Sequence, residues 1–454
     1  MAKAARLVQS VHMARPSDQL SFVQRIFSTL TSVERREVPL VVVAFFLFFC
    51  VLGGYFAVRP VRETVGTILG RDRVANLYVA TWIASLAIVP IYGAIVAKVR
   101  RSVFLPLIYG FVAVALAIVG GVMQNQSRNV AVGQFFYVFI SVLSLFLVSV
   151  FWSFLVELFD SAQAKRLFPV IAAGGTAGAL VGPLFTDLAA RSIGNGGILF
   201  VGAALFAFAV ALQAILIRLW KSSPEPHRGR GDTDDQARDR ALGGNPLAGI
   251  TLVLRSPYLL AIAAYVALLA TANTFLYFEQ LRLVSTTFAD TQTRTSVFAR
   301  IDWIVQSITI LAQLFITGRI ASRLGLVVLL TIIPVAIFFG FIALAIWNTF
   351  MVLAIVIVLR RSGEYAFVRP GREMLWTPMS KETKYKAKNF VDVPVYRGAD
   401  AAVAQLQRAI EGAGFGMQIL ALLGALAAGL WAVNGWWLGR RYDSAAQPAS
   451  EIAH

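Results

Sequence analysis

Long runs of apolar residues alternate with short polar connections along almost the whole chain. Most runs hold about 20 apolar residues, the length that an α-helix needs to cross a bilayer. The pattern therefore predicts an all-α polytopic membrane protein with twelve transmembrane helices, of which 393–414 is the most polar. The predicted spans are 38–62, 76–97, 102–123, 130–158, 167–190, 196–219, 258–280, 296–317, 325–347, 349–375, 393–414 and 415–438.

One long polar insertion, residues 220–250, interrupts this pattern and is rich in charge, proline and glycine. Such a composition is typical of a flexible linker. It divides the chain into two predicted six-helix bundles, 38–219 and 251–438. Residues 1–37 carry apolar side chains at helical spacing, which predicts an amphipathic segment leading into the membrane, and 439–454 form a polar tail.

Composition supports the membrane class, with 58% hydrophobic residues and a mean hydropathy of +0.70. A formal net charge of +17 could suggest nucleic-acid binding, but most lysines and arginines fall between the apolar runs. With twelve spans, all the basic clusters lie on one side of the membrane. The positive-inside rule makes that side the cytoplasm and places both termini there.

Cysteine and histidine exclude several kinds of chemistry. The single cysteine, Cys50, lies inside the first apolar run, so it cannot form an intramolecular disulfide. His12, His227 and His454 all lie outside the apolar runs. A glycine-rich run at 172–182 lacks the Lys-Ser/Thr ending of a P-loop, and small residues at that spacing indicate close helix packing. We therefore expect no catalytic residues, no metal site and no cofactor.

One stretch of sequence occurs twice. YFAVRPVRE at 55–63 is repeated as YAFVRPGRE at 365–373, with six identities in nine positions. Each copy ends a long apolar run, where two arginines and a glutamate are costly. Lone arginines at helix ends usually serve as anchors that reach the lipid interface. Repetition in matching places favours a functional role.

A second duplication marks the two halves. GAIVAKVRR at 93–101 and GRIASRLG at 318–325 are basic turns at the same place in each half. They resemble the loop between spans two and three of the major facilitator superfamily, although Ala97 and Ser322 stand where that family usually has aspartate. The resemblance implies two inverted three-helix repeats per half, which makes spans one, four, seven and ten equivalent. The doubled stretch lies on spans one and ten.

Three segments resemble the ATP/ADP translocases of plastids and obligate intracellular bacteria. Residues 359–392 resemble the tenth span and following loop of that family, 148–182 its fourth and fifth spans, and 55–63 its first. The resemblance implies nucleotide exchange across the cytoplasmic membrane of a bacterium. It also implies a role for basic residues on spans one and ten and for acidic residues on spans four and seven.

By position, Arg62 and Arg372 match the two transport lysines of the family, and Glu279 matches the acid of span seven. The chain also departs from the family. Pro60 and Arg369 stand where the plastid proteins have aspartates, and the fourth span has no acidic residue between 134 and 156. These changes leave the identity of the solute open.

Charge along the tenth span points to an anion. It carries four arginines and two glutamates, and the arginine fork suits phosphate or carboxylate. We place Arg360 and Arg361 near the midplane, about 16 Å deep at 1.5 Å per residue, with at least one facing a central cavity. Five aromatic residues near these charges could stack a base or serve only in helix packing and interfacial anchoring: Tyr55, Trp152, Tyr277, Tyr365 and Trp376. The candidate solute-binding residues are Arg59, Arg62, Arg360, Arg361, Arg369, Arg372, Tyr55 and Tyr365.

Inverted repeats place equivalent residues at opposite mouths of a carrier. We therefore predict that Arg62 pairs with Glu279 when the outside is closed, and that Arg372 pairs with Glu157 or Asp160 when the inside is closed. One pair should be complete in each state. The simpler alternative is local pairing, Arg62 with Glu63 or Glu373 with Arg369. Asp302 could couple protons or pair with Arg300 or Arg294.

These features together predict an alternating-access carrier that functions as a monomer in the lipid bilayer. Its predicted solute is anionic and phosphorylated, with a nucleotide as the first candidate. Exchange is favoured over proton symport because the pathway is basic and contains no histidine. A carrier of another organic anion remains open. So does a membrane sensor or assembly protein that kept the fold and lost transport.

Overall fold

The computed structural model of the protein describes residues 33–34, 36–98, 101–125, 129–222 and 248–446. Within these ranges the chain is helical and contains no strand. An α-helix satisfies its own backbone hydrogen bonds, so long apolar sequences without other partners adopt it in lipid. The predicted all-α class is confirmed. Most of the predicted linker and N-terminal segment lies outside the described residues.

The described residues of the N-terminal half form six helices. The fifth and sixth are one continuous helix in which only Gly194 departs from helical geometry, with a φ of 68° that favours glycine. We call its two parts α5 (161–193) and α6 (195–221). The other helices are α1 (Val38–Leu69), α2 (Arg71–Lys98), α3 (Arg101–Asn125) and α4 (Val130–Leu158).

The C-terminal half begins with the short helix Ala248–Arg255 and also contains six long helices. Gly325, with a φ of 77°, separates the eighth from the ninth. Three π-helical turns interrupt the helices of this half, at Gln313–Thr317, Glu364–Val368 and Val391–Val395. The helices are α7 (Pro257–Thr287), α8 (291–324), α9 (326–346), α10 (350–374), α11 (381–412) and α12 (Met417–Ala446).

Eight of the described helices are long and apolar enough to cross a membrane. One of them, Gln163–Lys221, contains both α5 and α6, so the eight account for nine of the twelve predicted spans. The other three predicted spans correspond to α2, α10 and α11. Both α10 and α11 are divided by π turns and carry charged residues, which shortens their uninterrupted apolar stretches.

Glycines on α5 bring that helix against α1. A Cβ atom added at Gly174 would lie 2.3 Å from the Phe45 carbonyl oxygen, and one at Gly178 would lie 2.4 Å from the Phe49 carbonyl oxygen. Backbones this close leave no space for a larger side chain. The glycine-rich run is therefore a packing surface, as its sequence predicts, and it fixes the helix that carries the first copy of the doubled stretch.

The two halves meet at the side of the bundle where α1 ends and α2 begins, which we call the Arg71 side. Arg71 Nη1 lies 2.7 Å from Glu411 Oε1, and the hydroxyl oxygens of Thr64 and Thr295 lie 2.6 Å apart. The amide of Gln405 donates to the Ala75 carbonyl oxygen at 3.0 Å. Each contact joins one half to the other, so the cleft between the halves is closed at this side.

The opposite side, where α1 begins, is called the Glu37 side. Two ion pairs at this side each join residues of the same half. Arg166 pairs with Glu37 at 3.0 Å in the N-terminal half, and Lys388 pairs with Glu373 at 2.5 Å in the C-terminal half. Each of these two pairs therefore stabilises one half of the bundle.

Candidate functional site

A small polar cavity lies between the halves, beside the last third of α1 and the middle of α10. Its volume is about 50 Å³, enough for a few water molecules. Both halves contribute to its wall, α1 from the first half and α7, α8 and α10 from the second. The lining residues are Arg59, Glu63, Asn273, Leu276, Tyr277, Gln280, Phe298, Asp302, Ile357, Arg360 and Arg361.

Asp302 on α8 is the centre of the charge network in this cavity. Its Oδ1 atom lies 2.5 Å from Arg361 Nη1 on α10 and 3.7 Å from Arg59 Nη1 on α1. Arg59 Nε also lies 3.8 Å from Glu63 Oε1, one turn along the same helix. One carboxylate therefore connects two arginines that belong to different halves.

The expected partners of Asp302 were wrong. Arg300 pairs instead with Asp187 on α5, at 3.1 Å, and Arg294 donates to the Phe288 carbonyl oxygen and to the Thr67 hydroxyl. Asp302 lies two residues beyond Arg300 on α8, so a helix carries the two side chains to different faces. Its carboxylate points to the cavity, and Arg300 points to α5.

Arg360 and Arg361 are both buried, at 5% and 8% exposure, and both line the cavity. Arg360 Nη1 bonds Glu364 Oε2 at 2.8 Å, while Arg361 turns to Asp302. Glu364 begins the π turn of α10. Adjacent positions on a helix point about 100° apart, so two different carboxylates are needed to hold two adjacent arginines away from lipid.

Several polar atoms of the cavity wall have no hydrogen-bond partner. They are Glu63 Oε2, Asp302 Oδ2, Arg360 Nε and Arg361 Nη2, and all four are buried. A buried polar atom left without a partner costs about 1–3 kcal/mol. Both donors and acceptors are therefore available to water or to a polar ligand.

Arg62 lies next to the cavity and contacts aromatic rings. Its Nη2 donates to the Tyr137 hydroxyl at 3.3 Å, and its guanidinium lies 4.6 Å from the centre of the Tyr137 ring. The Tyr137 hydroxyl in turn lies 2.8 Å from that of Tyr277 on α7. This chain of contacts joins α1, α4 and α7, three of the four helices that inverted repeats make equivalent.

Arg62 and Glu279 do not pair in this conformation, and their pairing when the outside is closed stays a prediction. The Arg71 side is closed, yet Arg62 lies 3.7 Å from Glu63, and Glu279 pairs with Arg282 on its own helix. Both pairs lie within one helix, so neither depends on the position of the other half. The local alternative for Arg62 is thus the arrangement that the structure shows.

Arg372 and its predicted partners lie toward the Glu37 side. Arg372 Nη2 lies 3.4 Å from Asp392 Oδ1 on α11, and Glu373 pairs with Lys388 rather than with Arg369. Glu157 and Asp160, at the end of α4, are exposed. Pairing of Arg372 with either acid when this side closes stays a prediction.

The structure does not bring all the candidate residues together. Arg59, Arg360 and Arg361 line the cavity and Arg62 adjoins it, whereas Arg369 lies farther along α10, with its guanidinium 4.8 Å from the Tyr365 ring centre. Tyr55 packs against the core of the N-terminal half. The aromatic walls of the cavity are instead Tyr277 and Phe298.

Two further buried carboxylates, which the sequence analysis did not identify, form hydrogen bonds between helices. Asp187 on α5 accepts hydrogen bonds from Arg300, Ser296 and Trp303 on α8, which joins the halves near the Arg71 side. Asp400 on α11 is 2% exposed and accepts from the Thr274 hydroxyl at 2.8 Å. An acidic residue inside an apolar run was the available signal for both.

The fold and the charged cavity define the class: a multi-pass membrane protein with the architecture of the major facilitator transporters. Solved structures that resemble it include the nucleoside transporter NupG, with a TM-score of 0.61 and 17% identity, covering 89% of this chain and 99% of that one. The POT family transporter PepTSo has a TM-score of 0.63 and 11% identity, covering 89% of this chain and 98% of that one. A bacterial homologue of the iron transporter ferroportin has a TM-score of 0.63 and 12% identity, covering 88% of this chain and 99% of that one.

Curated relatives confirm the resemblance seen in the sequence. The chain is 21% identical to ADP,ATP carrier protein 1 of Chlamydia trachomatis and 22% identical to that of Chlamydia muridarum. In each case the match covers 85% of this chain and 84% of the relative. No protein-family profile matches the chain. The similarity and the fold together indicate a membrane transporter.

Proposed function

We propose that this protein is an alternating-access carrier that binds a small anionic solute between its two halves. The observation that carries the proposal is the cavity in which Arg59 from one half meets Arg360 and Arg361 from the other. A site built from both halves can be exposed to either side when the halves rock about it. Buried arginines in a membrane usually mark such a pathway.

The orientation follows from charge. The predicted topology puts the basic turns and the start of α1 in the cytoplasm, so the Glu37 side faces the cytoplasm and the Arg71 side faces outward. A structure closed at the Arg71 side then corresponds to an inward-facing or occluded state. A cavity of about 50 Å³ is smaller than a nucleotide needs, so solute binding requires the cavity to widen.

The net charge of the site is positive, which favours an anionic solute. Four arginines, Arg59, Arg62, Arg360 and Arg361, face three carboxylates, Glu63, Asp302 and Glu364, which leaves one positive charge in excess. This excess is smaller than the arginine-rich tenth span alone suggests, because Asp302 comes from another helix. A phosphate or carboxylate group would bind the arginine fork in pairs of hydrogen bonds.

A nucleotide is our first candidate for the solute. The relatives that match most of the chain are named ADP,ATP carriers. Tyr277 and Phe298 line the same cavity as the arginines, so a base could stack on a ring while its phosphates contact guanidinium groups. We expect exchange of one nucleotide for another.

Counterflow in proteoliposomes tests the proposal. Vesicles containing the purified protein are loaded with ATP, and uptake of labelled ADP is measured with an excess of other organic anions as competitors. We expect saturable uptake that Arg360→Gln lowers by at least about tenfold, equal to about 1.4 kcal/mol. Arg166→Gln is the matched control, because Arg166 is paired with Glu37 away from the cavity.

The outcomes separate the alternatives. Uptake of another organic anion without nucleotide uptake would keep the carrier and change the solute. Binding of labelled ADP without any flux would favour a sensor. If no anion tested is either bound or transported, the proposed function is wrong.

A further inference from the structure

One carboxylate in the cavity serves arginines from both halves. Asp302 is 3% exposed, and its Oδ1 lies 2.5 Å from Arg361 Nη1 and 3.7 Å from Arg59 Nη1. Its second oxygen, Oδ2, has no hydrogen-bond partner. An anionic solute between Arg59 and Arg361 would compete for the same guanidinium groups.

Charge makes the empty state of such a carrier difficult to reorient. To change sides, the carrier must enclose its cavity, and enclosing unpaired arginines is unfavourable because the charges lose water. A bound anion removes this cost. When no solute is bound, only a carboxylate of the protein can do so, and Asp302 already contacts one arginine of each half.

We propose that Asp302 is the resident counter-ion of the empty carrier, the group that neutralises Arg59 and Arg361 after the solute has left. This inference rests on the proposed anion transport and adds a specific kinetic role to a residue of the site. With Asp302 present, the arginines and carboxylates of the site leave one positive charge. Without it, the empty site carries two.

The role has a measurable consequence for the two modes of transport. Exchange moves only the loaded carrier, in which the solute supplies the negative charge. Net efflux also requires the empty carrier to return. Neutralising Asp302 should therefore slow net efflux by a larger factor than it slows exchange. It should also tighten solute binding, because the solute no longer competes with an internal carboxylate.

Asp302→Asn tests this in proteoliposomes loaded with labelled ADP. Release is measured into buffer with saturating unlabelled ADP, which reports exchange, and into buffer without solute, which reports net efflux. We expect the ratio of exchange to net efflux to rise at least about tenfold, equal to about 1.4 kcal/mol on the return step. Asp302→Glu keeps the charge and should hold the ratio near that of the unaltered protein.

Glu37→Gln is the matched control, since it neutralises another buried carboxylate paired with an arginine, within one half and away from the cavity. It should not change the ratio. Gln280→Glu provides an independent test, because it adds a carboxylate to the cavity where Asp302→Asn removes one. Gln280 lines the same cavity, so a carboxylate there adds a second internal counter-ion and should lower the ratio.

The two proposals fail differently. If the unaltered protein neither exchanges nor releases labelled ADP or any competing anion, anion transport itself is wrong. If it transports, but Asp302→Asn lowers exchange and net efflux by the same factor, Asp302 is a structural residue and this inference is overturned. Should Asp302→Asn fail to fold, an unchanged ratio in Gln280→Glu overturns the inference by itself.

Discussion

Arg361 and Asp302 show how a charged pair is maintained inside an apolar bundle. Both residues are less than one-tenth exposed and their closest atoms are 2.5 Å apart. A buried pair adds little net stability because both ions lose water, but removing one partner leaves the other charge without compensation. Arg59, at 3.7 Å from the same oxygen, compensates only partly.

Arg361→Leu should therefore destabilise the protein more than the double variant Arg361→Leu/Asp302→Leu. We expect a cost of about 3–5 kcal/mol for the single change, the usual cost of an orphaned buried charge. Thermal unfolding in detergent of both single variants and the double variant measures the interaction free energy between Arg361 and Asp302. Purely additive effects would show that the two side chains do not depend on each other.

The doubly swapped variant Arg62→Glu/Glu279→Arg tests the gate at the same scale. Because Arg62 lies beside Glu63 and Glu279 beside Arg282, the swap places like charges next to each other at both positions. We expect the double variant to transport no better than either single variant. Transport restored above both would show that Arg62 and Glu279 meet in a conformation other than this one.

At the scale of the helices, the contact between α1 and α5 determines where Arg59 and Arg62 lie. It depends on glycines, because the backbones approach within the distance that one Cβ would occupy. Helices in lipid gain stability from such close packing, since burial of apolar surface there gives little. The π turn of α10 at Glu364–Val368 lies directly after the arginine pair in the opposite half.

Gly178→Ala should destabilise the bundle by about 1–3 kcal/mol, because its Cβ would lie 2.4 Å from the Phe49 carbonyl oxygen and force the helices apart. Gly110→Ala on α3 is the control. A Cβ there meets nothing within 4 Å, and alanine favours a helix over glycine, so we expect no loss of stability. Equal thermal unfolding midpoints for the two variants would contradict this packing.

At the scale of the whole molecule, polar contacts join the two halves at the Arg71 side. Thr64 and Thr295 meet there, and Asp187 on α5 accepts from Arg300 on α8. An alternating-access carrier must break these contacts to open this side. Leu281, Val284 and Phe298 of the C-terminal half also pack against the core of the N-terminal half, so opening this side separates apolar surface as well.

A disulfide between Thr64→Cys and Thr295→Cys should lock the Arg71 side closed, because the two hydroxyl oxygens are only 2.6 Å apart. The background is Cys50→Ala, which removes the natural cysteine. We expect the oxidised protein to lose transport and a reductant to restore it, while each single-cysteine variant responds to neither. Undiminished transport by fully cross-linked protein would show that this side does not open.

Much of the architecture was already determined by the sequence. Apolar runs of membrane-spanning length predict the helices. Gly194 falls in a predicted connection between spans, and Gly325 is the first residue of the predicted ninth span. Burial of Arg360 and Arg361 also follows from sequence, because an arginine in the middle of an apolar run cannot face lipid without a large cost. These are consequences of local composition, and local composition is what a sequence displays.

Only the tertiary structure decided which charges pair. Asp302 is 59 residues from Arg361 in sequence, and the contact depends on how α8 packs against α10. The duplicated stretch predicted equivalent roles for Arg62 and Arg372, yet Arg62 contacts Tyr137 and Arg372 contacts Asp392. An ion pair requires atoms within about 4 Å, and the relative position of two helices is set by packing along their whole length, which no single motif contains.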